Sequence, residues 1–216
     1  MARYTKGIIT KNYILETAKK IFYEKGYLET TITEICKITN VKLGTFTYYF
    51  KTKEALVEEI YAEYLMKHYT YFSNNEQRNT DSLEKNVVAT FCYYKIILDN
   101  ANNTRFHYEV LMNLSIFTFL SKNLRRIYSN FVRDFDLDID ELELTRISSA
   151  DLGVRRELTL EYIEKEMFES PLDLCITIYT MMGRLFKIKE DIMQSYIKKA
   201  IEYIEKHDLS YIKFLV

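Results

Sequence analysis

The chain has 216 residues, of which 28% are charged and 48% hydrophobic, with a formal net charge of −1. Only 5 Gly and 1 Pro stand beside 19 Tyr and 13 Phe, too few turn residues for a β sandwich or barrel and too many aromatics for a disordered chain. The length allows one large domain or two small ones, and long helices with few breakers make an all-α chain the expectation.

The charge is unevenly spread. Residues 1–53 hold ten Lys or Arg against four Glu, a net of +6; the other 20 basic and 27 acidic residues leave −7. A basic head on an acidic body is the distribution expected where one end meets a polyanion. Ile14, Ala18, Ile21 and Phe22 recur at i, i+4, i+7 and i+8, which predicts a first helix over about Thr10–Lys25, ended by Gly26. Thr31 and Glu34 make a T-x-x-E capping box for a second helix, with Ile32, Ile35, Cys36 and Ile38 on its buried side. Asn40 breaks that helix and Val41 plugs the turn. A short third helix over Leu43–Phe50 offers Phe46 and Phe50 to the core and leaves Thr45, Thr47, Tyr48 and Tyr49 near its outer face. Thr52 caps a fourth helix that begins Lys53-Glu54-Ala55-Leu56.

Two short helices joined by a tight turn are a helix-turn-helix, whose second helix can enter the major groove of DNA. The stretch TTITEICKITNVKLGTFTYYFKTKEAL, Thr30–Leu56, resembles the N-terminal region of the tetracycline-repressor (TetR) family. That family's pattern is a Thr-capped helix, an I-A-x-x-A-G-V turn, a recognition helix ending in aromatics and Phe, and a Lys at the start of the fourth helix. The resemblance covers roughly the first 60 residues. Where the family has Ala, Ala and Gly, this chain has Cys36, Thr39 and Asn40; where it has a capping Ser, this chain has Lys42; and Thr47 replaces a Tyr. The resemblance implies a DNA-facing set of Thr31 and Thr33 on the second helix, Lys42, Leu43, Thr45, Thr47, Tyr48 and Tyr49 around the third, and Lys53 on phosphate. Hydroxyls, Lys and backbone amides suit phosphate oxygens, and the Leu43 and Thr45 methyls suit a thymine methyl. The plain alternative is that Tyr48 and Tyr49 simply pack.

Residues 54–216 read as a larger helical body after a head of residues 1–53, with polar connections near Ser73–Asp81 and Asn100–Thr104. The acidic run Asp134–Glu143 lacks both the Gly and the terminal Glu of a calcium loop, since Glu141 and Ile147 hold those positions. Ser170-Pro171-Leu172-Asp173 starts a helix with an apolar stripe through Cys175, Ile178, Tyr179, Met182 and Phe186, and Gly183 allows close approach of a neighbour. A last helix carries Ile192, Tyr196, Ile197, Ile201 and Ile204. Two amphipathic helices at the end of such a chain resemble the family's dimer interface, which implies that Ile178, Met182, Gly183, Ile197, Ile201 and Ile204 join two copies; the alternative is an intramolecular core. TetR-like proteins bind a small effector in the body. The aromatic-rich middle nominates Tyr93, Tyr94, Phe106, His107, Tyr108, Met112 and Phe117, with Tyr179, for that pocket, although such residues also make ordinary core.

Nothing in the sequence suggests an enzyme, a metal site or a cofactor: His68, His107 and His207 show no ligand spacing, and no Gly-rich phosphate loop occurs. Cys36, Cys92 and Cys175 are sparse and odd in number, as in a reduced cytoplasm. The longest apolar run, Leu111–Leu120, falls short of the roughly 18–20 residues that span a bilayer. The expectation is therefore a cytoplasmic homodimeric repressor that binds a palindromic operator in double-stranded DNA and whose DNA affinity is altered by an unknown small-molecule effector bound in the helical body. The rival is a helical protein-interaction adaptor without an effector.

Overall fold

The computed structural model describes residues 2–75, 80–165 and 167–216; the side chains of 2–5, 68–75, 114 and 117–123 lie outside that description. Part of the expected connection at Ser73–Asp81, residues 76–79, lies outside it too, as does the side chain of Phe117. Among the described residues the regular structure is ten helices: α1 Ala2–Lys25, α2 Ile32–Thr39, α3 Leu43–Tyr49, α4 Lys53–Asn75, α5 Ser82–Leu98, α6 Ala101–Met112, α7 Leu114–Asp134, α8 Glu141–Lys165, α9 Pro171–Leu185 and α10 Glu190–Lys206.

The head, α1–α3, follows from local chemistry. Helix α1 starts earlier than the apolar periodicity indicated, because no breaker stronger than Gly7 precedes Thr10. It buries Ile14, Ala18, Ile21 and Phe22 and ends at Gly26, whose φ of +86° is costly for any residue with a Cβ. Thr31 Oγ1 accepts the Glu34 N–H at 3.1 Å. The reciprocal half of the capping box does not form, since the Glu34 carboxylate pairs with Lys25 instead. Ile38, expected inside, is 52% exposed; Thr39 takes the inner place and returns its hydroxyl to the Ile35 carbonyl at 2.7 Å. Asn40 sits in the left-handed region at φ 52°, ψ 38° and turns the chain into α3, with the Val41 N–H on the Cys36 carbonyl. Phe46 and Phe50 anchor α3 in the core.

The boundary expected after Lys53 falls in the first turn of α4, which runs on to Asn75. Core packing is continuous across that point, from Ile14 and Phe22 through Leu56 and Ile60 to Phe106. In the body, α5 is the hub, packed against α4, α6, α7, α9 and α10. Ser170 Oγ accepts the Asp173 N–H at 3.2 Å and Pro171 opens α9, as the sequence indicated. Gly183 lets α10 come close: a Cβ there would lie 3.2 Å from the Met193 methyl.

The residues expected at a dimer interface lie on α9 and α10. Ile178, Met182, Gly183 and Ile197 are buried within a single protomer, where α9 and α10 close on α5, and Ile201 and Ile204 are half-buried. Exposed positions on α8 do recur at helical spacing, through Leu142, Arg146, Ala150, Gly153 and Glu157. Beyond α10, residues 207–216 fold back as a strap that buries Leu209, Ile212, Phe214 and Leu215. Phe214 packs on Tyr61 and Tyr64 of α4, with ring centroids at 5.1 and 4.8 Å, and on Phe106 of α6.

Candidate nucleic-acid interface

Helix α3 has two unlike sides. Phe46 and Phe50 are buried, while Leu43 is 60% and Tyr48 81% exposed, a large outlay of apolar surface to solvent for one short helix. Thr45 and Lys42 are exposed beside them, and Lys42 makes no side-chain cap, so its ammonium is free to reach outward. Thr47 is exposed but returns its hydroxyl to the Leu43 and Gly44 carbonyls at 3.1 and 3.2 Å, which leaves it an acceptor toward solvent. Tyr49 is half-buried and meets the Tyr48 ring edge-on at 5.0 Å. On α2, Thr31 and Thr33 are both exposed, with Thr31 also serving as the cap.

Lys53 is placed differently from a simple phosphate contact. Its ammonium turns inward to the Tyr27 and Thr30 carbonyls at 2.7 and 2.8 Å and lies 4.0 Å from the Tyr27 ring centroid. Partial burial lowers its pKa. Two of three N–H groups are thus engaged, and the residue ties the α1–α2 connection to α4. Three features escaped the sequence reading. Gly44, with nothing within 4 Å of a built Cβ, leaves the first turn of α3 bare for close backbone approach. Lys37 and Lys51 add exposed positive charge on the same head. Charge runs of this kind carry no local signal that separates them from an ordinary solvated surface.

Helix α6 holds the head against the body. Arg105 donates to the last carbonyls of α1, Tyr23 and Glu24, at 2.8 Å each. Glu109 accepts the Leu28 N–H at 2.8 Å, and Asn100 donates to the Tyr23 hydroxyl at 3.0 Å. On the other flank, Lys11 of α1 pairs with Glu59 of α4 at 2.6 Å, and buried Lys19 pairs with Glu63.

Of the residues nominated for an effector pocket, Tyr94, Phe106, His107 and Tyr179 are buried and Tyr93 is half-buried. His107, Phe106 and Tyr93 share a cluster with Tyr61, whose hydroxyl lies 2.6 Å from His107 Nδ1. Burial pushes the His107 pKa down to about 3, so the ring is neutral and shares a hydrogen bond with the Tyr61 hydroxyl through Nδ1. Tyr179 has its hydroxyl 2.7 Å from Thr90 Oγ1 and its ring 5.1 Å from the Arg155 guanidinium. Tyr94 is buried near Thr159, at 3.3 Å between oxygens. Tyr108 instead donates to Glu164, and Met112 is 52% exposed. A buried pair was also missed: Arg155 Nε donates to Asp151 Oδ2 at 2.6 Å, and Tyr128 donates to the same carboxylate. In the sequence, an Asp and an Arg four apart on a helix look like a solvated surface pair.

The family profile described as bacterial regulatory proteins, tetR family, matches residues 14–60, the stretch from mid-α1 into α4. The chain is 31% identical over 147 residues to the Probable HTH-type transcriptional regulator YttP of Bacillus subtilis, a span covering 64% of this chain and 67% of that protein. The chain belongs to the TetR family. It is therefore a DNA-binding transcriptional regulator with a helix-turn-helix head, and the family is not one of enzymes. The TetR head is also 35% identical over 71 residues to the HTH-type negative transcriptional regulator IcaR of Staphylococcus epidermidis, covering 33% of this chain and 36% of that one. The whole TetR fold is similar to that of TylP, a TetR regulator from Streptomyces fradiae, at a TM-score of 0.57 and 16% identity over 93% of this chain and 94% of that one. Among the described residues no helix is long and apolar enough to cross a membrane.

Proposed function

We propose that this TetR-family chain acts in the cytoplasm as a homodimeric repressor that reads a palindromic operator through α3 and responds to a small-molecule effector in its helical body. The observation that carries the reading is the outer side of α3, where Leu43, Thr45 and Tyr48 stand unpacked beside Lys42. These are contacts a major groove would use, with Thr31, Thr33, Thr47 and Tyr49 around them. Lys53 would add its remaining N–H to a phosphate. A second copy supplies the second half-site, placing two α3 helices about 34–36 Å apart. The exposed α8 stripe is a face offered to that copy. The negative regulatory role of IcaR supports repression. The grip of α6 on α1 supplies a route by which a change in the body would re-aim the head.

Operator sites selected from genomic DNA provide the test, by fluorescence anisotropy. Tyr48→Ala should weaken binding by about tenfold, roughly 1.4 kcal/mol, without lowering the melting temperature. Lys53→Ala should weaken binding and also lower stability, because it loses two charged hydrogen bonds to Tyr27 and Thr30. Unchanged affinity in Tyr48→Ala would remove α3 from the interface. Sedimentation equilibrium reads the dimer.

A further inference from the structure

The strap that follows α10 turns Leu209, Ile212, Phe214 and Leu215 inward. Among the described residues the only backbone hydrogen bond of 208–216 is internal, from the Ile212 N–H to the Leu209 carbonyl at 3.0 Å. Apolar burial rather than a backbone ladder holds the strap, which makes it a segment that can open locally while the helices stay folded. Clefts flank it on both sides. One of about 380 Å³ lies toward α5 and the start of α6, the other of about 660 Å³ toward Ala62 and Met66 of α4, and Ile212 walls both. The strap is thus the partition of a longer groove. Phe214 fills the middle of that groove, in a seat of three rings: Tyr64 at 4.8 Å, Tyr61 at 5.1 Å and Phe106 at 5.8 Å between centroids. Tyr93 and His107, both nominated for an effector, stand behind Tyr64 and Tyr61 at 5.6 and 6.0 Å. Phe106 packs in turn on Phe22 of α1 at 5.0 Å, so the seat is one ring away from the head.

We infer that the seat of Phe214 is the effector site, that the strap occupies it in the DNA-reading state, and that an effector with one apolar aromatic ring binds by displacing Phe214. The inference rests on the effector-controlled reading proposed above. Phe214 is itself such a ring, and a competing ring would keep the contacts to Tyr61, Tyr64 and Phe106. The ligand binds only where Phe214 has left, and that difference shifts the population toward the open strap. It replaces one ring but not Leu209, Ile212 and Leu215, which leave with the strap. Helices α4 and α6 then lose the segment that bridges them. The first of these begins in the head, and the second holds the end of α1 through Arg105.

Toluene, added to the full chain, tests the assignment. In Phe214→Ala the seat is vacated, and toluene should fill the apolar space and raise the melting temperature by about 2–4 °C when present well above its Kd. In the wild type it must wait for the strap to open, a state of about 10% or less, so it should bind at least about tenfold more weakly. Trypsin reads the strap through cleavage after exposed Lys213, which removes residues 214–216. Saturating toluene should speed that loss severalfold in the wild type and slow it in Phe214→Ala, where no side chain has to be displaced. It should also weaken operator binding by the wild type about tenfold. Equal affinity for the two proteins, or wild-type cleavage that toluene leaves unchanged, would overturn the proposal, and the cleavage result decides even if Phe214→Ala does not fold. Weaker operator binding without faster cleavage would sink the strap and leave the effector reading standing. Faster cleavage with unchanged operator affinity would remove the strap from the control of DNA binding.

Discussion

His107 shows how far a residue's role depends on what surrounds it. In the sequence it is one of three scattered histidines; in the fold it is a neutral ring, buried beside Tyr61, Tyr93 and Phe106. Its pKa falls from the ordinary 6.5 to about 3 because burial penalises the charged form. The unfolded chain takes up a proton as the pH drops below 6.5, whereas the folded protein refuses it until about 3. Stability is therefore fully present above pH 6.5 and declines through the window below it, by about 1.4 kcal/mol per pH unit. Urea unfolding at a series of pH values should show His107→Gln with a flatter acid limb by that slope. Equal slopes would mean that the folded ring is protonated. Lys53 makes the same point in the opposite sense: its place at the start of α4 was evident, but its inward turn onto two carbonyls was not.

Caps and turns are where the sequence and the structure agree most closely. Thr31, Gly26, Thr52 and Ser170 each act within four residues of themselves, and each does so in the fold. Lys42 is the exception to good capping, since α3 begins with no side-chain bond. Lys42→Ser should supply the missing acceptor and stabilise the protein by about 1 kcal/mol in thermal or urea unfolding. The same change should weaken operator binding evenly across sequences and reduce the slope of log affinity against log salt by about 1. A variant that gains stability and keeps the full salt slope would show that Lys42 does not neutralise a phosphate. Where the amphipathic pattern was read one turn too far, at Ile38, the buried place had gone to Thr39, whose hydroxyl is satisfied by its own helix.

At the scale of the molecule, head and body share one core and are further held by polar contacts from α6. Arg105→Ala removes two donors from the end of α1 and should cost about 1 kcal/mol, because the side chain is exposed and its bonds are partly replaced by water. Hydrogen exchange should then speed up roughly fivefold in α1–α3 and stay unchanged in α9 and α10, provided the head opens as its own unit. Uniform acceleration would mean that head and body open together. The sequence by itself determined the helical class, the helix-turn-helix with its left-handed Asn40, and the division of a near-zero net charge into a basic head and an acidic body. Those features rest on periodicity, caps and composition, which act over a few neighbouring residues. Only the tertiary structure decided which sides of α9 and α10 turn inward, that Asp151 and Arg155 are buried together, and that the strap carrying Phe214 lies between α4 and α6. Each of these depends on packing between segments far apart in the chain, where many partners of similar apolarity compete and shape selects among them.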